Sequence, residues 1–154
     1  MFNGLRRLLT VVLTISLSGT VRATTDSSYR ELEQAYYHRH YQLLARKIQE
    51  LPSKDVRVEI LEVALAVATE QENKEAQLEA LIKRHSNSAQ VRYFAGKLWY
   101  QIKEQSSLLN KLGLVDKSND NFIVAAKLEP DNPQYLVEAA KAIAVTSGFW
   151  GCGK

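Results

Sequence analysis

Between Val56 and Ala68 the chain is apolar on two sides of a helix at once. Val56, Ile60, Val63 and Val67 form one stripe, and Leu61, Ala64, Leu65 and Ala68 form a second. A helix with one apolar face can lie on a surface, but a helix apolar on two faces must be covered on two sides. This segment therefore predicts the interior of a layered helical stack. No stretch shows sustained period-two alternation, so no sheet is expected.

The remaining helices follow from caps and spacing. Ser28-Tyr29-Arg30-Glu31 reads as a capping box opening a first helix that runs to about Glu50, with Tyr37, Tyr41, Leu44 and Ile48 on one face. Pro52 and Ser53 end it. A second helix covers about Lys54 to Thr69, and a third runs from about Asn73 to Arg84 with Leu78, Leu81 and Ile82 inward. Ser88 is a good N-cap for a fourth helix, where Val91, Phe94, Ala95, Leu98, Trp99 and Ile102 show the cleanest helical period in the chain. Leu108, Leu109, Leu112 and Leu114 suggest a short helix broken at Gly113. A sixth helix is expected from near Ser118 to before Pro130. Pro133 fits the first position of a seventh, which reaches about Val145 and ends at Ser147-Gly148. Short loops join antiparallel neighbours, so the expected fold is all-α, a set of stacked helical hairpins.

The N-terminus reads as a leader. Arg6 and Arg7 precede a mostly apolar run from Leu8 to Leu17, Gly19 breaks it, and Val21-Arg22-Ala23 supplies a cleavage signal between Ala23 and Thr24. The apolar run is short for a bilayer span, which takes about 20 residues. The expected organisation is a signal peptide over 1–23, a linker over 24–27, a helical domain over 28–147 and a Gly-rich tail over 148–154. The chain would then be exported, periplasmic or secreted, with no membrane segment in its mature form. The formal net charge of +3 resides in the leader, because residues 1–23 hold Arg6, Arg7 and Arg22 and no acidic residue. A neutral remainder gives no electrostatic case for a nucleic-acid partner. The single cysteine, Cys152, has no partner within the chain for a disulfide. Dimerisation through an intermolecular thiol is the reading it leaves open.

The stretch from Phe122 through Ala125 to Pro130, read with Leu128 to Leu136, resembles the junction between two tetratricopeptide repeats. A fainter copy lies earlier, where Ala80 precedes the Ser86 to Ser88 loop and Val91, Phe94, Ala95 and Leu98 follow at helix-A spacing. The layout over 73–154 is similar to that of exported bacterial tetratricopeptide-like proteins of unassigned function. The resemblance implies a short right-handed superhelix in which Ala80, Phe94, Ala95, Phe122, Ala125, Pro130 and Pro133 are structural signature positions. The two helix-A starts, Ser88 and Pro133, lie 45 residues apart, where the usual period is about 34. The surplus is expected as an insertion around Leu108 to Leu114. Tyr93, Tyr100, Arg92 and Lys97 would line the concave groove that such proteins use to bind a protein or peptide.

Other candidate chemistry is thin. His38 and His40, two residues apart on a helix, point about 200° apart and cannot share a metal there. No metal or cofactor is expected. His85 ends a helix, where a cation complements the dipole. Glu59 and Glu62 read as a solvated face. Gly148-x-x-Gly151-x-Gly153 lacks the strand and helix of a phosphate loop. The sequence thus favours a non-catalytic interaction module. The alternatives are a small exported enzyme using His38 or His40 with a carboxylate, and a truncated repeat protein without independent function.

Overall fold

The computed structural model describes residues 26–51 and 55–150, and among them there is no strand. Seven helices follow in order: α1 (26–37), α2 (Tyr41–Glu50), α3 (Val56–Ala68), α4 (Lys74–Arg84), α5 (Ala89–Gln105), α6 (Lys111–Leu128) and α7 (Pro133–Trp150), with a 3₁₀ turn at Leu108–Asn110 between α5 and α6. The fold is all-α and built of antiparallel helical hairpins. Among the described residues no helix is long and apolar enough to cross a membrane. Residues 1–25, which hold the expected leader and its Ala23–Thr24 junction, and the tail residues 151–154, which hold Cys152, lie outside the described residues. The chain divides into two compact units, one up to Pro52 and one from Ser53.

The first unit is the hairpin α1–α2. One helix was expected here, and the chain makes two. Arg39 adopts a left-handed φ of 58°. The amide of His40 donates to the Ala35 carbonyl at 2.8 Å and that of Arg39 to Tyr36 at 3.0 Å. This is the paired hydrogen bonding of a Schellman cap, which ends a helix at a left-handed residue, usually glycine. An arginine there hides the stop. Ser28 is not an N-cap, because residues 26 and 27 are already helical. Glu31 does not close a capping box either; its carboxylate takes Lys47 Nζ at 2.6 Å and ties α1 to α2. Leu32, Ala35, Leu44 and Ile48 are buried.

The second unit begins with the cap that the sequence left unnamed. Asp55 accepts the Val58 amide at 3.0 Å and so opens α3. Both predicted stripes of α3 are inside: Ile60, Leu61, Val63, Ala64, Leu65 and Val67 are all buried. A second Schellman cap ends α3, with Glu70 at φ 54° and the Gln71 amide on the Ala66 carbonyl at 3.0 Å. Ser88 caps α5 as expected, accepting the Val91 amide. Contacts run antiparallel along each pair. Arg84 and His85 meet Glu59 across α3–α4, Lys74 meets Gln105 across α4–α5, and across α5–α6 Lys117 lies over Trp99 while Asn121 meets Arg92.

Three boundaries differ from expectation. Gly113 does not interrupt anything; α6 runs unbroken from Lys111 through it and through Ser118. Ser118 therefore caps no helix. Its hydroxyl is buried and donates to the Gly96 carbonyl at 2.8 Å, so its polarity serves the α5–α6 contact. The segment between Ser88 and Pro133 holds two long helices, 17 residues in α5 and 18 in α6, joined through the three-residue 3₁₀ turn. Finally, α7 continues past Val145, and Ser147 and Gly148 lie inside it. Pro133 does start α7, and the Asn132 side chain accepts the Gln134 amide at 3.1 Å to cap it.

Candidate functional site

The four residues expected to line a groove separate into two groups. Tyr93 is a core residue, only 4% exposed. Its ring packs on Tyr135 at 4.9 Å between centroids and on Phe122 at 5.9 Å. Its hydroxyl accepts Gln134 Nε2 at 2.7 Å, a satisfied polar tip on a buried ring. Arg92 is also engaged, with Nε on the Ser86 carbonyl and Nη1 on Asn121 Oδ1, both at 3.2 Å. These two side chains tie α5 to its neighbours. On the first half of that face α6 and α7 lie against α5, through Phe122 and Tyr135 on the Tyr93 ring.

The second half is open. Tyr100, one helical repeat beyond Tyr93, is 53% exposed. Lys103 Nζ sits 3.6 Å above its ring and pairs with Glu104 at 2.6 Å. Burial alone would lower the Lys103 pKa, but hydrogen bonds to Glu104 and Tyr100 outweigh it and raise the value above the usual lysine range. Lys97 is exposed, with Nζ 4.7 Å from the Tyr93 ring centroid. No carboxylate lies within ion-pair distance of it among the described residues. The arrangement is a strip of cation, phenol and cation on the outer face of α5.

The positions that the resemblance marked as structural lie as follows. Ala95 and Ala125 are fully buried, Phe122 is buried and Phe94 is half-buried against the same cluster. Pro130 and Pro133 flank the α6–α7 turn. Ala80 is exposed, because Leu78 and Leu81 supply the inward face of α4. What the sequence reading missed is Gly96, where α5 and α6 approach so closely that a Cβ would meet the Phe122 ring. Its only signal was a glycine inside the strongest helical period.

Glu59 is not on a solvated face. Its carboxylate takes Arg84 Nη2 at 2.7 Å and His85 Nε2 at 3.2 Å. Burial alone would push its pKa up, yet the Arg84 and His85 hydrogen bonds together hold it below the usual glutamate value. His38 and His40 are exposed. Among the described residues no group of three or more His, Cys, Asp or Glu side chains is placed to hold a metal ion. No protein-family model, no curated protein and no solved structure matches the chain.

Proposed function

We propose that the chain is a non-catalytic helical-repeat interaction module, exported to the periplasm or secreted, that binds a protein or peptide segment along the outer face of α5. The observation that carries this reading is Tyr100. A large aromatic left 53% exposed on a helix whose other aromatics are packed is the residue type that anchors protein interfaces. Lys97 beside it has no carboxylate within ion-pair distance among the described residues, so the partner segment carries acidic residues. Recognition is by contact with the exposed part of the phenol and charge pairing with the Lys97 ammonium, without a covalent step.

The test is fluorescence anisotropy of the full chain against acidic, neutral and basic peptides of equal length. Acidic peptides should bind, and Tyr100→Ala and Lys97→Ala should each weaken them tenfold or more while the helical circular dichroism stays unchanged. Equal binding of all three classes, or binding indifferent to both substitutions, would overturn the reading.

A further inference from the structure

The helical expectation set His38 and His40 on opposite sides of α1. The turn that replaces the helix removes that separation. Backbone hydrogen bonds from His38 to Gln34, Arg39 to Tyr36 and His40 to Ala35 fix the corner, and the left-handed φ of Arg39 reverses the chain between the two histidines. Their rings then lie 6.0 Å apart between centroids with planes 31° apart.

We propose that the His38-Arg39-His40 turn is a two-imidazole site for a borderline divalent metal ion such as Cu(II), Ni(II) or Zn(II). With imidazole nitrogen about 2.0–2.1 Å from the metal, two rings sharing one ion hold their centroids about 5–6 Å apart. The observed 6.0 Å lies at the upper end of that range. Imidazole is the ligand these ions favour. Both rings are exposed, so an ion reaches them without crossing the core. The corner is braced from both helices: the Tyr36 ring packs edge-on against Tyr37 at 5.9 Å and tilted against Tyr41 at 6.3 Å. Two protein ligands leave the other coordination positions to water or to a small exogenous donor. Arg39 stands between the two ligands in sequence, and its positive charge opposes the binding of a cation. The site lies wholly on the first unit.

The experiment is a Cu(II) titration of the full chain, followed by calorimetry and by the nitrogen hyperfine pattern in electron paramagnetic resonance. One ion per chain with two imidazole nitrogens is expected. His38→Ala and His40→Ala should each reduce affinity by about 100-fold, because the second bond forms intramolecularly. Arg39→Gly, which keeps the left-handed turn, should retain both nitrogens and bind more tightly. Absence of binding, a single-nitrogen pattern in the unaltered chain, or affinity that survives replacement of both histidines would each overturn the assignment.

Discussion

The Phe122 ring lies directly against Gly96: a Cβ at position 96 would stand 2.7 to 2.9 Å from three of its carbons. Beside it, the Ser118 hydroxyl reaches the Gly96 carbonyl. These two contacts set how closely α5 and α6 pack. Gly96→Ala should lose about 1–3 kcal/mol to overpacking, more than the gain of under about 1 kcal/mol in helix propensity. In a Phe122→Leu background the same substitution should lose less. Urea unfolding of the four variants in a double-mutant cycle measures this, and strict additivity would contradict the contact.

Two left-handed caps carry side chains that strain them. Arg39→Gly and Glu70→Gly should each stabilise the chain by about 0.5–1 kcal/mol, the left-handed penalty of a non-glycine residue less the entropy of glycine in the unfolded chain. Alanine at the same positions should give no such gain. Thermal melts of the four variants distinguish a backbone effect from the loss of a charge.

Stability should depend on pH through Glu59 and Asp55. Burial would raise both pKa values, but Arg84 and His85 on Glu59, and Arg57 and the Val58 amide on Asp55, outweigh it and leave both lowered. A carboxyl with a lowered folded-state pKa stabilises above its unfolded value, and that contribution disappears as pH falls through the folded one. Denaturant midpoints from pH 7 down to 3 should therefore fall, and less steeply in Glu59→Gln. At pH 7 that substitution should lose under about 1 kcal/mol, because the pair is partly solvated.

Asn119 Nδ2 is buried with no hydrogen-bond partner among the described residues. An orphaned buried donor costs about 1–3 kcal/mol. Asn119→Ala should accordingly raise stability by about 1 kcal/mol, read as a higher urea midpoint at unchanged slope. A lower midpoint would mean the amide has a partner in solution.

Tyr93 and Tyr100 should behave oppositely although they share a face. Tyr93→Phe removes the bond to Gln134 and should lose about 0.5–1.5 kcal/mol; Tyr93→Ala should lose about 3–5 kcal/mol as a core deletion. Tyr100→Ala should stay within about 0.5 kcal/mol of the parent. Only Tyr100 is thus a clean reporter of binding, and the unfolding curves of the three variants check the division.

Periodicity and capping chemistry determined much of this protein locally. The doubly apolar pattern of Val56 to Ala68 required an interior helix, Ser88 opened α5, and Pro133 opened α7, because each depends on spacing along one helix or on a single backbone donor. Tertiary structure decided the rest. Whether Ser118 caps a helix or bonds across a helix pair depends on Gly96, 22 residues away. Gly113 and Gly148 stay helical although glycine usually marks a stop. Arg39 and Glu70 end helices without the glycine that announces such an end, so α1 and α2 read as one. Of the proposed groove, the periodicity put Tyr93 and Tyr100 on one face, and only the packing of α6 and α7 over its first half buried one and exposed the other. Helical period assigns a side chain to a face; which part of that face meets water is set by elements that the period of one helix does not encode.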